Sequence, residues 1–235
     1  MSGVYDLSLI VFAYNEADNV GPVLTEIDEW AQGRTEQIEI VFVDDGSSDI
    51  TFHRAQSYQG KTPLNCVQHS VNKGIGAALK TGVRYARGRW VTFMPADGQI
   101  DPQSLSVLLD AQQDASLDFV TSVYADRDDG VYRKILSWGV RSLIRLFHGV
   151  SMTSDGPYLF QRSDFDETQL KPDSFFLNFE FPIRMLALNK RVGVVTIHCR
   201  TRMSGRSKSS GIKTIYVIGK DLVALRIRRS FEKAN

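Results

Sequence analysis

Cysteine is nearly absent. Cys66 and Cys199 are the only two in 235 residues, too few for a disulfide framework and without metal-ligand spacing. A reducing compartment is the simplest setting for such a chain. No apolar run approaches the roughly 18 residues that a membrane-crossing helix needs. The N-terminus lacks the cationic start and apolar core of a secretion signal, so the expected place is the cytoplasm. There is no internal repeat and no low-complexity stretch. Neither charge dominates: 28 Lys/Arg face 27 Asp/Glu, a formal net charge of +1. That balance argues against a chain that coats a polyanion. No aromatic-basic interleaving marks a nucleic-acid groove either. Asn72-Lys73-Gly74-Ile75-Gly76 is too short for a dinucleotide fingerprint and carries no P-loop pattern.

What is present is enough chain for one α/β domain with a full core, and an uneven distribution of charge. From Arg200 onward there are ten Lys/Arg and two Asp/Glu, a balance of +8; residues 1–199 carry −7. An acidic body with a basic tail suggests a tail that meets an anion.

The first half alternates strand and helix signals. Continuous apolar runs at Leu7–Ala13, Ile38–Val43, Leu64–His69, Trp90–Met94 and Phe119–Val123 read as strands buried on both faces. Between them lie helical stretches: Asn19 to Trp30 with Asn19 as cap and Pro22 in the first turn, one ending near Tyr58, Gly74–Ala86, and one after the cap-proline pair Asp101-Pro102. This alternation predicts a doubly wound parallel sheet. Further on, Val131–His148 and Phe175–Asn189 read as helices, Asp155–Arg162 as strand and loop, and Arg191–His198 as a strand. A basic Gly/Ser loop precedes a last helix from about Ile212. The expected division is a domain over 1–211 and a basic amphipathic helix over 212–235.

Ligands in such sheets sit at the carboxyl ends of the strands, and three polar clusters fall there. Tyr14-Asn15-Glu16 offers a ring for a base and a carboxylate for hydroxyls. Asp44–Asp49 offers carboxylates that accept from a ribose or a base N–H, and also makes a tight turn and a helix cap. Asp97 and Gln99 supply hard oxygen ligands suited to Mg²⁺ or Mn²⁺ on a diphosphate. Arg202 and Lys208, around Ser204-Gly205-Arg206-Ser207, can offset a leaving diphosphate. Taken singly, each cluster is explained as well or better by turns, caps and solvated charge.

Taken in order they resemble the family-2 glycosyltransferases of GT-A fold, a Rossmann-like architecture with a mostly parallel central sheet flanked by helices, in the branch of the dolichyl- or polyprenyl-phosphate hexose synthases. The matching pieces are AYNE (Ala13–Glu16), VDDGSSD (Val43–Asp49), NKGIGAALKTG (Asn72–Gly82) and ADGQ-I-DP (Ala96–Pro102). Arg127-Asp128, DGPYLFQR (Asp155–Arg162), FEFPIR (Phe179–Arg184) and R-x-x-G-x-S-K (Arg202–Lys208) follow. Pro95 stands where the family's metal motif often has its first carboxylate. The resemblance implies an inverting transfer of a hexose from a UDP- or GDP-linked sugar to a polyprenyl or dolichyl phosphate. Tyr14, Glu16 and Asp44 would hold the nucleoside, Asp97 with Gln99 the metal, and Arg202 and Lys208 the phosphates. Asp155 and Glu180 are the acidic candidates near the sugar.

Three questions stay open at this level. The acceptor can instead be a sugar hydroxyl of a surface polysaccharide or glycolipid, in which case Asp155 is the first candidate base. The chain can also be a non-catalytic nucleotide-sugar-binding protein of the same fold. The cationic helix 131–148 and the last helix either pack on the sheet or on a second copy of the chain, or touch an anionic membrane as a peripheral contact.

Overall fold

The computed structural model describes residues 5–125, 131–154, 156–188, 190–201 and 219–228, with backbone alone for 131–138. In chain order the elements are β1 (Tyr5–Ala13), α1 (Ala17–Gln32), β2 (Ile38–Asp44), α2 (Thr51–Gln56), β3 (Leu64–Gln68), α3 (Ile75–Tyr85) and β4 (Gly88–Pro95). They continue with α4 (Gln103–Ala115), β5 (Phe119–Tyr124), α5 (Val131–His148), β6 (Tyr158–Gln161), α6 (Leu177–Ala187) and β7 (Val192–Ile197). A further helical stretch spans 219–228.

The seven strands form one sheet in the order β3-β2-β1-β4-β6-β5-β7. It is the expected mostly parallel α/β sheet flanked by helices. β6 is the antiparallel strand, against both β4 and β5. All other pairings are parallel.

The strands are apolar throughout because both faces are covered. In β1, Leu7, Leu9 and Val11 face the core under α1 and α4, while Ile10 faces the one under α3 and α6. In β2, Ile38, Ile40 and Phe42 point one way and Val41 and Val43 the other. Period-two alternation between two cores gives an unbroken apolar run. α3 packs close on β1: a Cβ at Gly82 would lie 2.4 Å from the Ile10 side chain. Behind it, Phe93, Phe119, Tyr158, Phe160, Phe165 and Phe181 form a continuous ring cluster.

A third core joins α5, α6 and the stretch 219–228. Ile144, Phe176, Ile183, Leu222 and Leu225 are buried there, with Val140 and Phe147 beside them. The described part of the last helix is thus docked on the body. Asp221 Oδ2 accepts from Ser174 Oγ at 2.9 Å, and Arg228 Nη2 donates to Glu180 Oε2 at 2.6 Å.

One local expectation is corrected. α1 begins at Ala17 with Glu16 as its cap residue, not at Asn19. Asn19 lies inside the first turn and donates to Glu16 Oε2 at 2.6 Å, and Pro22 is the sixth helical residue, past the first turn. α4 begins at Gln103 with Pro102 as its cap residue, and Asp101 Oδ1 accepts the Gln103 N–H at 2.9 Å.

Candidate active site

β2, β1 and β4 are neighbours, so their carboxyl ends bring the three polar clusters together. Ala13 pairs with Asp44, and Phe12 with Pro95. The ladder continues one step past each end: Asp45 N donates to Ala13 O at 2.8 Å, and Ala96 N to Phe12 O at 2.9 Å. Tyr14–Glu16 therefore rises between the aspartates of β2 and those of β4. Two strand spacings, about 10 Å, separate the two acidic loops.

Asp44 is fully buried. Ser47 Oγ donates to Asp44 Oδ1, and Gln68 Nε2 donates to Oδ2 at 2.9 Å. The turn that returns Ser47 to Asp44 runs through Gly46 at φ +70°, where a Cβ would lie 2.3 Å from the Val71 carbonyl carbon. Only glycine satisfies both the left-handed backbone and that approach. Asn15 also has a left-handed backbone, at φ 53°. It is stapled to the same loop: Asn15 N donates to Ser47 Oγ and Ser48 N to Asn15 Oδ1, both at 2.8 Å. Glu16 is buried, and its N–H donates to Thr51 Oγ1 at 2.8 Å. Tyr14 stays 36% exposed at the rim, the arrangement a stacking ring needs.

On the far side of β1, Asp97 is buried at the end of β4 and its Oδ1 accepts the Gln99 N–H at 3.1 Å. Gln99 O accepts from Arg200 N at 2.8 Å, and Arg200 pairs with Glu26 at 2.9 Å and with Asp101. Thr201, which leads into the R-x-x-G-x-S-K segment, thus stands beside the Asp97–Gln99 loop.

The donor set at Asp97 is a single carboxylate with an amide, because Pro95 leaves the second carboxylate out. Among the described residues no group of three His, Cys, Asp or Glu could hold a metal ion. Such a donor set suits Mg²⁺ better than a cage-bound ion. Mg²⁺ is commonly held by one or two carboxylates together with substrate phosphates and water. The residues present therefore fit a divalent ion that arrives with a diphosphate.

The structure brings together Tyr14, Glu16, Asp44, Asp97 and Gln99. Glu180 stands on α6. Glu180 is fully buried, with Arg184 Nε donating to one oxygen at 3.1 Å and Arg228 to the other. Burial pushes its carboxyl above the usual range, and the two guanidinium groups pull the other way. Asp155, Arg202, Lys208 and the pair Arg127-Asp128 lie outside the described residues.

Sequence reasoning missed the buried pair formed by Asp45 and His69. The available signal was a histidine at the end of a strand, just ahead of the Asn72–Gly74 turn. Gln68 and Ser47, which take up the Asp44 carboxylate, were missed as well.

Comparison with known proteins bears on the family and the fold. Residues 8–200 match the family described as Glycosyl transferase family 2. A dodecaprenyl-phosphate galacturonate synthase of Rhizobium johnstonii is 33% identical over 154 residues, covering 64% of this chain and 46% of the relative. A dolichol-phosphate mannosyltransferase of Pyrococcus furiosus is 28% identical over 218 residues, covering 89% of this chain and 60% of the relative. The chain thus spans roughly half of the curated relatives it matches. Among solved structures, the glucosyl-3-phosphoglycerate synthase of Mycobacterium tuberculosis, in complex with Mn²⁺, UDP and phosphoglyceric acid, superposes with a TM-score of 0.71 at 18% identity. The superposition covers 96% of this chain and 78% of that one. At that identity the likeness shows a shared fold.

Proposed function

The chain belongs to glycosyl transferase family 2, and on that premise we propose that it moves a hexose from a nucleoside-diphosphate sugar to a polyprenyl phosphate, with inversion at the anomeric carbon. The observation that carries this reading is the meeting of Asp44, Tyr14–Glu16 and Asp97 at the ends of three adjacent strands. The names of the Rhizobium and Pyrococcus relatives support the acceptor class.

On this reading each residue is given a role. Asp44, anchored by Ser47 and Gln68, accepts from the base or ribose of the donor. Tyr14 offers its exposed ring to the base, and Glu16 a carboxylate to the hydroxyls. Asp97 with Gln99 would hold Mg²⁺ or Mn²⁺, which when bound neutralises diphosphate charge as a Lewis acid. Arg202 and Lys208 are assigned the remaining phosphate charge. An acceptor phosphate oxygen attacks the anomeric carbon opposite the leaving nucleoside diphosphate. One C–O bond forms as the other breaks, and the configuration inverts. A phosphate acceptor is already anionic, so no general base is required. A hydroxyl acceptor would need one, and Asp155 is the candidate. Glu180 supports the site from outside by holding Arg184 and Arg228 together across α6 and the last helix.

The lipid acceptor also gives a use to the outer face of the third core. Leu143, Leu146, Val223 and Ile227 are exposed there, near Arg141, Arg145, Lys220 and Arg226 in sequence. Apolar side chains among cations suit an anionic membrane surface. Co-sedimentation with anionic vesicles should be strong at low salt and weak with neutral vesicles. Equal recovery from both would remove the membrane contact.

The deciding experiment offers UDP- and GDP-sugars with Mg²⁺ or Mn²⁺, with and without a short polyprenyl phosphate, and follows nucleotide release. Release that depends on the lipid phosphate, and that falls at least about a hundredfold in Asp97→Ala, is expected. Transfer to a glycan alone would replace the acceptor. Binding without turnover would make the chain a nucleotide-sugar-binding protein, and unchanged activity in Asp97→Ala would remove Asp97 from the phosphate end.

A further inference from the structure

Asp45 follows the donor-facing Asp44 but turns its carboxylate away from that side. Its Oδ1 lies 2.8 Å from His69 Nδ1 and accepts the Lys73 N–H at 2.9 Å; its Oδ2 accepts the Gly74 N–H at 2.8 Å. A carboxylate can only accept, so the ring nitrogen facing it carries a proton. The opposite ring nitrogen, Nε2, lies 2.9 Å from Thr81 Oγ1 on α3. In the neutral ring that nitrogen accepts the hydroxyl proton. Asp45, His69 and Thr81 are all buried. The chain of contacts therefore runs from the end of β2, through the residue after β3, into α3, and closes on the backbone of the loop between them.

That loop forms part of the site wall. Asn72 and Lys73 are exposed. The backbone at Val71–Asn72 is packed so closely on Gly46 that a Cβ there would lie 2.6 Å from Asn72 N. Two residues on, Gly74 sits at φ +95°, where a Cβ would lie 2.9 Å from Asp173 O. The loop is pinned between Asp45 on one side and the 173–174 backbone on the other, and its Val71–Asn72 backbone stands against the turn that follows Asp44.

We propose that His69 is a positioning residue of the donor site: by orienting Asp45 it fixes the 72–74 backbone, and with it Asn72 and Lys73 beside Asp44. The inference rests on the donor reading above. His69 touches no reacting group; it acts through Asp45. Its Asp45-facing bond is the one that matters for the donor, and its Thr81-facing bond serves the fold alone.

Two substitutions separate those bonds. Asparagine places an amide N–H near the Nδ1 position and keeps the Asp45 contact. Glutamine reaches the Nε2 position and keeps Thr81, leaving Asp45 without its side-chain donor. UDP and GDP binding to the full chain with Mg²⁺, measured by calorimetry, should be within about threefold of the parent for His69→Asn. It should weaken roughly tenfold for His69→Gln, the cost of one lost buried contact. Both variants should melt lower than the parent. A merely structural histidine would give affinities that follow melting temperature, equal in the two variants, and that result would overturn the proposal. Should neither variant fold, the surface variant Asn72→Ala/Lys73→Ala decides. It must lose affinity by a similar factor, and unchanged affinity would also overturn the proposal. If the parent protein binds neither UDP nor GDP, the donor reading itself fails and the role of His69 falls with it.

Discussion

At the scale of single residues, the site depends on backbone positions that tolerate little change. Gly46 combines a left-handed backbone with a Cβ position 2.3 Å from another backbone atom. Gly46→Ala should therefore destabilise by at least about 2 kcal/mol, read as a shift of the denaturation midpoint, and should weaken nucleotide binding by displacing Ser47 from Asp44. A second residue-scale effect lies at the other end of the sheet. Arg34 grips Glu36 through two nitrogens, at 2.8 and 3.0 Å, and Gln113 adds a third bond. Hydrogen bonding from Arg34 lowers the Glu36 carboxyl to about 2 against the opposing effect of burial. A depressed carboxyl stabilises the fold above its ordinary value of 4.5 and loses that contribution as pH falls toward 2. Glu36→Gln should flatten the acid limb of the stability curve across that window, by on the order of 1–3 kcal/mol, measured by urea melts at stepped pH.

At the scale of elements, the docking of the last helix is the testable point. Leu225 is fully buried against α5 and α6, whereas Val223 on the same helix is half exposed. Leu225→Ala should cost about 2–5 kcal/mol and Val223→Ala within about 0.5 kcal/mol; chemical denaturation of the two variants separates a docked helix from a loose one. Elements also mark what was legible in the sequence. Strands covered on both faces announce themselves as unbroken apolar runs, so β1, β2 and β4 were placed to within two residues at each end, and the polar clusters at their ends marked the candidate site. Strand direction leaves no such trace. Tyr158–Gln161 is four residues long, and only its neighbours β4 and β5 make it antiparallel. The capping of α1 was misread because Asn19 has the side chain of a cap but spends it on Glu16 inside the first turn. The Asp45–His69 pair joins residues 24 apart, and no local pattern encodes a contact made only when β2 and β3 lie side by side.

At the scale of the whole molecule, one end of the sheet gathers the buried carboxylates of Glu16, Asp44, Asp45 and Asp97. A ligand that brings cationic charge to that end binds the folded chain alone and stabilises it by mass action. UDP or GDP with Mg²⁺ at a hundred times its dissociation constant should add about 2.7 kcal/mol, seen as a rise in melting temperature; nucleotide without the metal should add less. The strand order has a consequence in time as well as in space. β1 is made first, yet it sits between β2 and β4, and its register with β4 runs from Tyr5 opposite Gly88. At roughly 5–20 residues per second, the first strand waits several seconds for its second neighbour. The three strand ends that carry the candidate site then exist before β5 is synthesised. Until Phe160 arrives beside Val91, the growing chain carries β4 as an unpaired apolar edge, the kind of surface that chaperones bind on nascent proteins.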